Sequence, residues 1–144
     1  MRTICRIFLC LAILSPITIG VGVTRANAAD AIVTDVRVGH HTDKTRFVME
    51  MSRGLQVNFF MLDNPYRIVL DFGELGWQLP AGIKPGPTGL FKAMRYGLYK
   101  PGQTRVVVET SMPTGVQSAF YLSPIGDGSQ RLVLDLVPIT RQQF

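Results

Sequence analysis

The sequence predicts an all-β fold: a β-sandwich of two pseudo-symmetric, roughly four-stranded sheets produced by an internal duplication. Three observations lead there. The segment TRFVMEMS at 45–52 returns as TRVVVETS at 104–111, and RIVLDF at 67–72 returns as RLVLDL at 131–136. A weaker echo precedes each pair, VRVG at 36–39 and MRYG at 94–97. Repetition at this period means one supersecondary unit built twice, and a unit that cannot bury its apolar face alone buries it against its twin. Apolar residues also alternate with polar ones along most of the repeated segments, which is the period of half-buried strands. Beyond residue 28, no window of ten residues carries a helical period.

Residues 1–28 have the make-up of a secretory signal peptide. Arg2 and Arg6 open it, an apolar run follows from Ile7 to Val23, and Ala26-Asn27-Ala28 forms a small-residue cleavage site. Cys10 follows Ile7-Phe8-Leu9, which lacks the small residues of a lipoprotein site. Cleavage removes both cysteines, so the expected domain of residues 29–144 relies on neither disulfides nor thiolate ligands. It also removes Arg2, Arg6 and Arg25, leaving 12 basic against 10 acidic residues and a charge near +2. That balance, with no basic run, argues against nucleic acid as a partner. No stable membrane span is expected after cleavage.

The first repeat is expected at about 31–72. A strand fits Ile32–Val38, and Phe47, Met49 and Met51 then alternate with Arg46, Val48 and Glu50. Leu55, Val57, Phe59 and Met61 form a third apolar row, and Tyr66, Ile68, Leu70 and Phe72 a fourth. Turn signals separate them at Arg53-Gly54 and Asp63-Asn64-Pro65. The connection, about 73–90, is rich in glycine and proline and holds Trp77, the only tryptophan. It is too stiff and apolar for a passive linker; Trp77 and Leu79 are expected to cover a sheet edge or close one end of the sandwich. The second repeat, about 91–137, starts with a strand at Lys92–Leu98. Inward rows follow at Val106 and Val108, at Val116, Ser118, Phe120 and Leu122, and at Leu132, Leu134 and Leu136. Each copy is expected to carry one apolar sheet face that only the other covers.

The search for chemistry yields little that is catalytic. His40 and His41 are the only histidines, adjacent in a loop, while zinc needs three or four convergent ligands. No cofactor or metal site is expected. Four carboxylates recur, each four positions after an arginine: Arg46/Glu50, Arg67/Asp71, Arg105/Glu109 and Arg131/Asp135. A carboxylate pair can serve glycoside hydrolysis. Recurrence with a fixed arginine step fits cross-strand ion pairs on outer sheet faces better. No GxSxG elbow accompanies the serines. What remains is a surface bearing Arg37, Arg46, Arg67, Arg95, Arg105 and Arg131 with Phe60 and Tyr121. Guanidinium forks suit carboxylates and flat rings suit sugar faces. Composition leaves two readings level, a glycan- and carboxylate-binding surface or a soluble sheet exterior.

The ordered set Val33-Thr34-Asp35-Val36-Arg37, Thr45-Arg46-Phe47-Val48 and Asn64-Pro65-Tyr66-Arg67-Ile68-Val69-Leu70-Asp71 resembles the AMIN domain, the N-terminal non-catalytic module of periplasmic N-acetylmuramoyl-L-alanine amidases. The resemblance covers about residues 31–137. It implies a periplasmic module that binds peptidoglycan and localises its parent, often to the division septum, with division or envelope proteins as further partners. The outward side chains supply the ligand-binding candidates for such a module: Arg46 and Arg105 first, at the repeated TR step, then Arg37, Arg95, Arg67, Arg131, Tyr121 and Trp77. The zinc ligands of those amidases have no counterpart here, so catalysis does not carry over and no enzyme activity is expected of this chain. Two alternatives stand beside this reading. One is the targeting fragment of a zinc-dependent amidase; the other is an interaction module of an envelope secretion or pilus complex, where similar modules precede secretin pores.

Overall fold

The computed structural model describes residues 29–81, 84–124, 126 and 128–144, and the expected signal peptide lies outside them. Nine strands follow in order: β1 Ala31–His40, β2 Thr45–Met51, β3 Asn58–Leu62, β4 Arg67–Phe72, β5 Leu75–Trp77, β6 Phe91–Lys100, β7 Gln103–Thr110, β8 Thr114–Leu122 and β9 Gln130–Pro138. They form two sheets. Sheet I has the order β5-β1-β2-β9-β8, and sheet II has β3-β4-β7-β6. Among the described residues there is no helix, and none long and apolar enough to cross a membrane.

The sandwich is the expected one, but the duplication does not place one copy in each sheet. Each copy gives one hairpin to each sheet. The first sends β1–β2 to sheet I and β3–β4 to sheet II; the second sends β6–β7 to sheet II and β8–β9 to sheet I. The copies meet at two central seams, β2 with β9 and β4 with β7, both antiparallel. A short loop between the hairpins of each copy explains this, residues 52–57 in the first and 111–113 in the second. The short loop after Met51 carries the chain from one sheet to the other, so consecutive hairpins stack face to face rather than lying side by side.

The alternation read from sequence becomes the core. Phe47, Met49 and Met51 of β2 lie opposite Leu134, Leu132 and Gln130 of β9, and their side chains are buried between the sheets. Ile68, Leu70 and Phe72 of β4 face the same interior beside Val106 and Val108 of β7. Phe47 stacks on Phe91, with ring centroids 6.2 Å apart, and so joins sheet I to sheet II. Burying a side chain of this size is worth about 1.5–3 kcal/mol.

The repeated threonines have a job that alternation does not reveal. Thr45 Oγ1 accepts a hydrogen bond from the Leu90 amide, and Thr104 Oγ1 accepts one from the Leu75 amide, each at 2.9 Å. Both threonines are buried. They satisfy backbone donors at the two ends of the connection, which would otherwise be stranded in the interior. The connection itself contributes β5, a three-residue strand parallel to the start of β1 that pairs Val33 with Trp77. Trp77 thus covers an edge of sheet I, and its ring lies flat on Tyr96 of β6, with centroids 3.5 Å apart and planes 16° from parallel.

Two strands depart from their expected form. β3 starts at Asn58, so Leu55–Val57 precede it as irregular chain. In β8 the ladder slips between Val116 and Ser118. A one-residue bulge moves every following side chain to the opposite face. Ser118, Phe120 and Leu122, expected inside, therefore point outward, and Tyr121, expected outside, packs against the core.

Candidate binding faces

Sheet pairing places side chains in rows across each outer face. On sheet I the rows are Gly39–Arg46–Asp135–Ser118, Arg37–Val48–Val133–Phe120 and Asp35–Glu50–Arg131–Leu122. On sheet II they are Gly97–Arg105–Asp71–Asn58, Arg95–Val107–Val69–Phe60 and Ala93–Glu109–Arg67–Leu62. The two arrays share the residue type at every equivalent position but two, where Asp35 stands against Ala93 and Ser118 against Asn58. The molecule therefore presents one chemical pattern twice, on opposite sides.

Each array is held by a two-pronged ion pair across the seam between the copies. Arg46 donates from Nε and Nη2 to Asp135 at 2.7 and 3.0 Å, and Arg105 donates likewise to Asp71 at 2.7 and 2.8 Å. The arginine of one copy thus pairs with the acid of the other, and the four-residue step within a strand is a by-product of register. Lys44 Nζ and Ser118 Oγ also donate to Asp135, at 3.1 and 3.2 Å. These bonds, Arg46 first, hold the Asp135 carboxyl well below the ordinary aspartate range against the opposing effect of burial. Arg105 lowers Asp71 in the same way, and each partner arginine is raised in return.

An aromatic ring borders each guanidinium. Phe120 sits 6.0 Å from Arg46, and Phe60 sits 5.5 Å from Arg105. Val133 and Val69 point outward yet are buried, because the paired rows and these rings close over them. Sheet II adds Tyr99, whose ring centre lies 3.6 Å from Arg105, while sheet I has the Lys44 bond instead.

The other sequence candidates lie in varied settings. Arg37 bridges Asp35 at 3.1 Å and Glu50 at 2.8 Å. Arg67 donates to the carbonyls of Pro65 and Asp63 and so braces the β3–β4 turn. Arg131 reaches the Ser123 carbonyl at 3.4 Å. Arg95 is 71% exposed and comes no nearer than 3.9 Å to the Glu109 carboxylate. Tyr121 lies inside, where its hydroxyl donates to the Leu55 carbonyl at 2.6 Å and accepts from the Leu55 amide at 3.2 Å. Burial raises its phenol. Trp77 belongs to the opposite side wall with Tyr96. The pairing of Phe120 with Phe60 escaped sequence reasoning. The signal was a spacing: fourteen residues separate Arg46 from Phe60 and fifteen separate Arg105 from Phe120, and the extra residue is the bulge. Among the described residues, no three histidine, cysteine, aspartate or glutamate side chains gather as a metal site.

The family model for the AMIN domain matches residues 35–136. The N-acetylmuramoyl-L-alanine amidase AmiC of Escherichia coli is 32% identical over 122 residues, which are 81% of this chain and 29% of that protein. The AmiC amidase of Neisseria meningitidis serogroup B is 32% identical over 115 residues, 73% of this chain and 26% of that protein. The chain spans less than a third of the length of either relative, and what it matches in them is the AMIN domain, a non-catalytic module.

Proposed function

The chain belongs to the AMIN domain family, and from that premise we propose that it is a periplasmic module that binds peptidoglycan and localises to sites of wall remodelling, the division septum foremost. The observation that carries this reading is the array built twice. Each outer face offers an exposed phenyl ring beside a fixed guanidinium plane, flanked by further cations. Rings of this kind pack on sugar faces, and arginine-rich margins attract the carboxylates of wall peptides. Arg46, Arg105, Arg37, Arg95, Arg67 and Arg131 remain the proposed ligand-facing set, with Phe60 and Phe120 added to it. Trp77 and Tyr121 support the frame.

Sedimentation of the purified protein with insoluble peptidoglycan tests this. The protein is expected in the pellet, with no wall fragment released into the supernatant. The double variant Arg46→Gln with Arg105→Gln is expected to bind roughly tenfold more weakly or worse, since a charge-assisted contact is worth about 1.5–3 kcal/mol. Parent-like binding by a folded double variant would remove the faces from the proposal.

A second reading rests on the two amidases: the chain is the targeting part of such an enzyme. Sequencing the DNA beyond the Phe144 codon tests it. A reading frame that carries histidine and glutamate zinc ligands supports it, and a stop codon refutes it.

A further inference from the structure

The charge of the principal face arginines is largely balanced by acids of the molecule itself. Arg46 and Arg105 each spend two N–H groups on an aspartate of the neighbouring copy. Arg37 is divided between two acids, and Arg67 is committed to its own turn. A ligand that carries several carboxylates gains further from cations that no acid balances.

They are gathered along β6, the edge strand of sheet II. Its sequence, FKAMRYGLYK, holds Lys92, Arg95 and Lys100 and no acid. A groove of about 600 Å³ runs between this strand and Lys84-Pro85 of the connection, lined also by Lys92, Met94, Arg95 and Tyr96. That volume lies within the about 300–1,000 Å³ typical of small-ligand clefts. Three cations therefore border it. Glu109, from the adjoining β7, answers them with one carboxylate, bonded to Lys92 at 2.6 Å and 3.9 Å from Arg95. Lys84 makes no ion pair with any described residue. The groove thus keeps a positive excess in the absence of ligand. Lys92 first, with help from Arg95 and Arg67, holds the Glu109 carboxyl below its ordinary range, so this acid stays charged and does not vacate its place. The Trp77–Tyr96 stack fixes one wall.

We propose that this groove is a carboxylate-binding subsite for the peptide stems of peptidoglycan. Arg95 and Lys84 grip the stem carboxylates, and Met94, Pro85 and Tyr96 receive its alanyl methyls. The proposal rests on the wall-binding reading above and adds a dedicated peptide site at the β6 edge, beside the two faces. Arg95 supplies the two-pronged grip, because its guanidinium has no short ion pair to give up.

The test is an NMR titration of the purified protein with the soluble stem tripeptide L-alanyl-γ-D-glutamyl-meso-diaminopimelate, run beside the wall sedimentation. Amide shifts are expected in residues 84–100 and not in β3 or β8. Amidating the three carboxylates of the peptide should abolish them. Lys84→Glu with Arg95→Glu should weaken the interaction at least tenfold, and Lys84→Gln with Arg95→Gln should weaken it less. Both substitutions are on exposed side chains, so an unchanged spectrum of the free variant shows that it still folds. If the parent sediments with the wall while the peptide leaves β6 unshifted, or shifts it equally in the charge-reversed variant, the groove proposal falls and the wall reading stands. If the parent does not sediment with the wall, the wall reading falls, whatever the peptide does.

Discussion

Asp135 accepts four hydrogen bonds from three side chains and is the most heavily engaged acid on either face. Its role was half legible. The recurrence of arginine and acid four apart announced outer-face ion pairs, but which arginine meets which acid depends on strand neighbours, and a single strand does not encode them. Replacing Asp135 with Asn should cost roughly 1–3 kcal/mol at neutral pH, read by urea denaturation, because it strands Arg46 and Lys44. Asp71→Asn should cost less, since one arginine rather than three donors loses its partner. The pH dependence follows from the lowered carboxyls. Both aspartates bind protons more weakly folded than unfolded, so their contribution is complete above the ordinary aspartate value of 3.8 and is lost as pH falls through their lowered values. Stability should be flat from pH 7 to 5 on their account and decline below about pH 4. The Asp135→Asn variant should show a shallower acid decline than the parent when urea denaturation is repeated across that pH range.

Among the elements, the long alternating strands were legible and the irregular ones were not. β2 and β7 follow period two in sequence and in burial alike, while β4 and β9 keep the apolar parity but also bury Val69, Val133 and Asp135 on their outer side. β5 is three residues long and contains Gly76, too little for any periodic signal, and it exists because an edge of sheet I accepts it. β8 misled because its bulge inverts parity midway, and no glycine or proline marks the slip at Gln117. The corrected position of Tyr121 makes a prediction. Its hydroxyl ties β8 to the irregular chain before β3, where both sheets lose a strand neighbour. Tyr121→Phe should cost about 1 kcal/mol and leave wall binding intact, which separates a bracing role from a ligand contact. Trp77→Ala should cost roughly 2–3 kcal/mol by opening the opposite edge. Because Trp77 is the only tryptophan, its stack on Tyr96 can be followed in the parent by fluorescence through the unfolding transition.

For the whole molecule, duplication was visible at once, and its consequence for assembly was not. Sequence repetition reveals that two like units exist; it does not reveal that each splits across both sheets. With the seams β2–β9 and β4–β7 at the centres of the sheets, a fragment of residues 29–75 would keep two hairpins and lose every central pairing. It should be unfolded or aggregated, and a well-dispersed NMR spectrum from it would contradict this topology. The same arrangement has a mechanical side. β1 and β9 run in the same direction with β2 between them, so Ala31 and Pro138 sit at opposite ends of sheet I. A tether pulled at these points drags the strands past one another lengthwise, and the ladders of β1–β2 and β2–β9 resist together rather than opening one bond at a time. A module held in a wall under turgor would carry tension through its stiffest direction.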